Sequence, residues 1–380
     1  MNQSTNYFPA LTGVRACAAY VVFLTHFNPF LEFGWPWQLA HEGNSGVTVF
    51  FVLSGFLIAY RYAERIAVSR QWLATYIRNR VARIYPLYFL LTALTFAFIE
   101  MDPVYDIMGR WAGYVASDKA VAMALNFTLT RAFFENFKFT GIPQGWTLTV
   151  EECFYFLAPV LLLGLVRTRH RWALLLAYGV ALLGIGCALV VWAPHKLSFF
   201  ASYNFMLTYT FFGRCGEFLC GMALAFFVHR RADRVATLRP AYYTWMGLVW
   251  MALCVIGGAI VNPTTESPVS YSPAGLVLNN LLLPVGIAVF FLGLLWEDTR
   301  VRRLLETRVF DLLGKSSYAF YLVHMGIFSR LLDLHVTRHY GFHFVFMLGL
   351  SVVLYRYVEK PLHKLLVVRS KTLKRSVLAQ

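Results

Sequence analysis

The chain has 380 residues, of which 58% are hydrophobic and only 14% charged, with a formal net charge of +15. Soluble domains carry roughly 25% charged residues, so this composition excludes an ordinary soluble enzyme. The basic surplus would suit a nucleic-acid groove, but it is spread over short linkers between apolar runs, which excludes that class too.

Three runs, 173–193, 241–261 and 274–296, contain no Asp, Glu, Lys or Arg and hold at least 21 residues each. About 20 apolar residues in a helix cross the roughly 30 Å hydrocarbon core. The pattern predicts an all-α polytopic membrane bundle with about ten transmembrane helices. In chain order the spans are 12–28, 46–60, 84–100, 150–166, 173–193, 204–228, 241–261, 274–296, 310–332 and 342–358. Alternate linkers, with the C-terminal tail, hold 23 Lys and Arg; the other linkers hold six, although they include the longest loop. The positive-inside rule predicts the first set, and both termini, on the cytoplasmic side. Residues 101–149 are predicted outside, with an interfacial or re-entrant helix within 120–134. Residues 1–365 read as one membrane domain, and 366–380 as a short basic cytoplasmic tail suited to lipid headgroups.

No cleavable signal peptide is expected, because the first apolar stretch lacks preceding basic residues and itself carries Arg15 and His26. Cys17, Cys153, Cys187, Cys215, Cys220 and Cys254 fall within or at the ends of spans, with no Cys-x-x-Cys spacing. Free thiols are expected, without a disulfide frame or a metal site.

Ionisable groups inside spans are rare and usually face an interior cavity. Arg15 and His26 stand eleven residues apart on the first span, three helical turns plus about 20°, so both point the same way about 16.5 Å apart. Function and structure are both open readings: a snorkelling arginine with a core histidine, or two groups serving a substrate that lies along the helix. Arg80 and Arg83 are spaced i, i+3 and share a helix face. Two guanidiniums together could grip phosphate, or simply mark the cytoplasmic surface. Glu151 and Glu152 stand near the start of the fourth span. His324 lies about as far into the ninth span as His26 into the first, so the two imidazoles are expected at comparable depth, roughly 21 Å along their helices. Arg214 and Glu217, an i, i+3 pair inside the sixth span, read as a mutually neutralised bridge.

Several motifs are absent. Gly314-Lys315-Ser316 resembles the end of a phosphate loop, but Val309 occupies the place of the leading glycine. There is no Gly-x-Ser-x-Gly elbow and no His-Glu-x-x-His zinc helix. No internal repeat is visible, which weighs against a transporter built from inverted halves.

Six segments occur in order: Leu11-Thr-Gly-Val-Arg15 with His26, Gly46-Val-Thr-Val-Phe-Phe-Val-Leu-Ser-Gly-Phe-Leu-Ile58, Arg80-Val-Ala-Arg83-Ile-Tyr-Pro86, Trp146-Thr-Leu-Thr-Val-Glu151, Ser317-Tyr-Ala-Phe-Tyr-Leu-Val-His324 and Tyr357-Val-Glu-Lys-Pro361. Together they resemble the acyltransferase-3 family of bacterial membrane acyltransferases, from Leu11 to Pro361. It resembles the stand-alone members, so the SGNH hydrolase-like domain that others carry is not expected. Thr147 and Thr149 stand where the family tends to have serines.

The resemblance implies an enzyme of the bacterial cytoplasmic (inner) membrane. It implies a cytoplasmic acyl-CoA donor, most commonly acetyl-CoA, and a hydroxyl acceptor on a carbohydrate or glycolipid presented from the outer side. Arg80 and Arg83 match the motif associated with the CoA phosphates, and Arg15 and His26 the paired arginine and histidine. Glu151 and His324 match further recurrent positions whose roles are less settled. An imidazole within reach of a sugar hydroxyl can take its proton as it attacks the thioester, and His26 is the expected general base. Glu151 is expected to orient the base or bind acceptor. Direct transfer and an acyl-enzyme route both remain open. A transporter or flippase for a lipid-linked glycan is the alternative function.

Overall fold

The computed structural model describes residues 7–30, 34–193, 196–230, 241–262 and 271–367. In chain order the helices are α1 (Pro9–His26), α2 (Trp35–His41), α3 (Ser45–Tyr62), α4 (Arg70–Met101), α5 (Ala116–Phe127), α6 (Trp146–Arg167), α7 (Arg171–Trp192), α8 (Tyr203–Tyr209) and α9 (Phe211–His229). They continue as α10 (Tyr242–Val261), α11 (Pro273–Val277), α12 (Leu283–Trp296), α13 (Arg300–Leu305), α14 (Arg308–Val323), α15 (Ile327–His335), α16 (Tyr340–Leu354) and α17 (Lys360–Leu366). Among the described residues the only β contact is an isolated bridge between Phe134 and Phe199. The architecture is the all-α polytopic bundle expected from composition.

The centre is built by α1, α3, α9 and α14, whose backbones approach without intervening side chains. A Cβ on Gly55 would lie 2.1 Å from the Phe218 carbonyl oxygen, and one on Gly314 would lie 1.9 Å from that of Thr12. Small residues give such close approach in membranes, where lipid is as apolar as the helix and shape complementarity must hold helices together. By contrast α7, α10 and α16 expose Leu176, Leu253, Ile260 and Val345, an apolar belt suited to acyl chains.

Eight of the described spans are long and apolar enough to cross a bilayer. The first and ninth expected spans fall outside that set. α1 has 18 residues and α14 has 16, about 27 and 24 Å at 1.5 Å per residue. α1 carries Arg15 and His26, which lower its hydropathy, and α14 is too short, ending just before His324.

Two expected spans prove to be broken, and two more stay continuous through a π-turn. Residues 310–332 divide into α14 and α15 because Gly326 adopts φ 118°, in the region open to glycine. Residues 204–228 divide at the extended Thr210. Residues 274–296 and 342–358 each contain a π-turn, Leu278–Leu282 and Tyr355–Glu359. The helix expected within 120–134 lies earlier, as α5, and ends before Leu129, which has φ 54°.

One end of the bundle is assembled from the basic linkers. Phe8 packs on Tyr60 at 5.0 Å, Tyr60 stacks on His229 at 4.3 Å, and Arg78 Nε donates to the Leu366 carbonyl at 3.0 Å. Arg231, Arg234, Arg239, Arg369, Lys371, Lys374 and Arg375, and nearly all of the 366–380 tail, lie outside the described residues.

Candidate active site

A cavity of about 460 Å³ begins at this basic end, among Tyr7, Lys315, Lys360 and His363, and stops at Val47, Thr147 and Tyr321. Arg15, Arg80, Arg83 and Glu151 all line it. α1 starts with Pro9 in its first turn, where a missing N–H costs nothing, and projects Arg15 into the cavity wall. α4 starts at Ser69, whose Oγ accepts from the Trp72 amide at 3.1 Å, and runs unbroken through Arg80 and Arg83. The Arg80 guanidinium lies over the Tyr155 and Tyr62 rings at 5.6 and 5.9 Å. The Nε atoms of Arg15 and Arg80 are buried without a hydrogen-bond partner, and neither residue makes a salt bridge among the described residues. A cavity so equipped attracts an anion with several charges.

Two carboxylates shape this field. Glu151 accepts from Ser54 Oγ at 2.5 Å and from the Tyr155 hydroxyl, which ties α6 to α3 and aims the carboxylate along the cavity. Glu359 pairs with Arg83 Nη1 at 3.2 Å and leaves its Oε2 unpartnered. The π-turn at Tyr355–Glu359 places it there, and π-turns of this kind often occur at functional sites.

The two histidines form a separate centre. His324 Nε2 lies 3.4 Å from His26 Nδ1, with ring centroids 5.3 Å apart. Their carbonyl partners fix the proton positions, because a carbonyl only accepts. His324 Nδ1 sits 2.7 Å from the Tyr321 oxygen and therefore carries a proton, leaving Nε2 as an acceptor. His26 Nδ1 sits 3.0 Å from the Val22 oxygen and also carries a proton. It is shared with His324 Nε2, so the free lone pair of a neutral His26 is on Nε2. His26 does not line the large cavity. It lines a second cavity of about 30 Å³ with Asn44, Gln144, Trp146 and Tyr209, and Val47 and Tyr321 line both spaces. The expected site residues therefore gather in two groups. Arg15, Arg80, Arg83 and Glu151 stand on one side of a wall one side chain thick, and His26 with His324 on the other.

Residues 8–356 match a family described as an acyltransferase domain. The chain belongs to the acyltransferase-3 family. Two curated relatives are the O-acetyltransferase OatA of Staphylococcus aureus strains NCTC 8325 and COL, each 23% identical over 376 residues. A candidate O-acetyltransferase of Staphylococcus aureus strain COL is 24% identical over 384 residues. The alignments cover 94–95% of this chain but 58% of each relative. The chain thus spans somewhat over half the length of the curated proteins it matches. No solved structure matches.

In this acyltransferase-family chain, several residues of the site escaped sequence reasoning. Tyr155 stands i+4 from Glu151, a spacing that brings side chains together, and Ser54 and Glu359 lie inside motifs quoted above but carried no assignment. Tyr321 likewise lies inside a quoted motif without an assignment, and Gln144 had no signal, because its importance comes from the break after α14. The loop between α5 and α6 is organised by Arg131, fully buried, whose guanidinium donates to Asn126 Oδ1 and the Ile142 carbonyl, each at 2.5 Å, and to the Thr140 carbonyl. A Cβ on Gly145 would meet Arg131 Nη2 at 1.8 Å, so glycine is required where the loop turns into α6. Arg214 and Glu217 form the expected bridge, 2.8 Å apart and buried, with Thr48 hydrogen-bonded to both. The six cysteines are free thiols. Among the described residues no three His, Cys, Asp or Glu side chains group as a metal site.

Proposed function

We propose that this chain is an integral membrane O-acyltransferase that takes an acyl group, acetyl in the simplest case, from cytoplasmic acyl-CoA. It passes the group to a hydroxyl of a glycan or glycosylated metabolite presented from the opposite face. The observation that carries the reading is the pair of cavities meeting at Tyr321 and Val47, one basic and deep, the other small and lined by His26. Arg80, Arg83 and Arg15 suit the phosphates of CoA, and the remaining depth suits its narrow pantetheine arm with the thioester at the wall. On the far side, His26 Nε2 takes the acceptor proton while the hydroxyl oxygen attacks the thioester carbon. The C–S bond breaks, the ester forms, and the imidazolium returns its proton to the departing thiolate. Glu151 sets the polarity of the cavity between the arginines and the wall, and His324 holds the His26 ring. The linker charges favour the basic end on the cytoplasmic side, and the reading takes both termini there and residues 101–149 outside.

The test uses the full chain in lipid nanodiscs with acetyl-CoA labelled in the acetyl group and methyl glucoside as acceptor. Labelled ester equal in amount to released CoA thiol supports the reading. In sealed proteoliposomes of the same chain, movement of a lipid-linked sugar across the bilayer without thiol release would replace it with the flippase function.

A further inference from the structure

The outer cavity contains a polar group that the transfer step does not use. Gln144 is 3% exposed and lines this cavity beside His26. Its Nε2 donates to the carbonyls of Tyr321, Leu322 and Met325 at 2.8, 2.9 and 3.1 Å. These are carbonyls at the broken end of α14, where a helix leaves its last oxygens unpaired. The amide cannot turn over, because its oxygen would then face three carbonyl oxygens. Gln144 Oε1 is thereby held in one orientation, buried and without a partner. A buried acceptor left unpaired is costly unless something supplies a hydrogen.

We infer that Gln144 Oε1 is the docking point for a second hydroxyl of the acceptor, so that the outer cavity selects polyhydroxy molecules over simple alcohols. This rests on the acyl-transfer reading above and adds the residue by which the same site recognises its acceptor. An acceptor bound at His26 gives that hydroxyl's single proton to Nε2. Gln144 must therefore be satisfied by another hydroxyl of the same molecule. Trp146 and Tyr209, edge to face at 4.9 Å, also line the cavity. The cavity is small, but Met325 on its wall is flexible and gives room for a larger occupant.

The experiment compares methyl glucoside with tetrahydropyran-2-methanol, which keeps the ring and one hydroxymethyl group and lacks the other hydroxyls. Acetyl transfer is followed with the full chain in nanodiscs, together with Gln144→Met, which preserves length and removes both hydrogen-bonding edges. Wild type is expected to favour the glucoside roughly tenfold in kcat/KM, the value of one ordinary hydrogen bond. Gln144→Met is expected to lose that preference, transfer to the glucoside falling roughly tenfold further than transfer to the monohydroxy acceptor, and through KM rather than kcat. An equal loss on both acceptors accompanied by a lower Tm would make Gln144 only a cap for α14 and overturn the inference. So would no change on either acceptor, or a wild type that does not distinguish the two, a comparison that needs no variant. Wild type that esterifies neither probe and releases no thiol would instead overturn acyl transfer itself.

Discussion

Arg83→Ala is expected to do two separable things. Arg83 pairs with Glu359 at 3.2 Å, with Glu359 5% exposed and Arg83 29% exposed. Removing the guanidinium strands a buried carboxylate whose second oxygen already has no partner. Breaking a buried pair costs about 3–5 kcal/mol, and the partial exposure of Arg83 puts this case near the lower figure. The same change removes a fork that would grip a CoA phosphate. A hydrogen bond to a charged group contributes roughly 1.5–3 kcal/mol, which corresponds to about 10- to 150-fold in Kd. Adding Glu359→Gln removes the stranded charge while keeping its shape. Stability is therefore expected to return in the double variant, while acyl-CoA affinity stays low. Thermal unfolding by tryptophan fluorescence reports the first quantity and titration calorimetry with acetyl-CoA the second. Recovery of affinity together with stability would refute the reasoning, since Arg83 would then serve only to neutralise Glu359.

Three further outcomes follow from the same geometry. His324→Gln should retain activity within about tenfold, because a glutamine can donate to the Tyr321 carbonyl and accept from His26 Nδ1, whereas His324→Leu should lose roughly a hundredfold in kcat with acetyl-CoA binding intact; an inactive His324→Gln that still folds and binds would make His324 a proton carrier. Gly314→Val should fail to accumulate as folded protein, since even a Cβ would meet the Thr12 carbonyl oxygen at 1.9 Å, and normal yield and Tm would contradict the close seam between α1 and α14. Single cysteines placed at 110–140 in a cysteine-free background should label from outside the cell, and labelling only after permeabilisation would invert the topology.

Hydrophobic runs revealed most of the bundle, because a bilayer demands long apolar helices wherever the chain crosses it. They did not reveal the breaks at Gly326 and Thr210 or the π-turn before Lys360, which depend on contacts between distant helices. The site was legible in the same uneven way. Counting helical rise put His26 and His324 at one depth, and their rings lie 5.3 Å apart. The i, i+3 spacing put Arg80 and Arg83 on one face, and both line the large cavity. The wall between that cavity and His26 was not legible, because Tyr321 is aligned by Thr147, 3.0 Å from its hydroxyl, and by Gln144 bonded to its carbonyl. Neither partner carries charge or a recognisable spacing. Glu359 was overlooked because a helix turn of ordinary pitch would place it differently from the π-turn that directs it to Arg83.

The most direct measurement is a single turnover of preloaded acetyl-CoA by purified His26→Gln beside wild type, with methyl glucoside in excess. A glutamine cannot take a proton at neutral pH, so loss of the general base is expected to slow ester formation by about 10²–10⁴-fold while acetyl-CoA binding and Tm stay unchanged. Transfer within a few-fold of wild type would contradict the account, making His26 a packing residue and moving the base to Glu151 or His324.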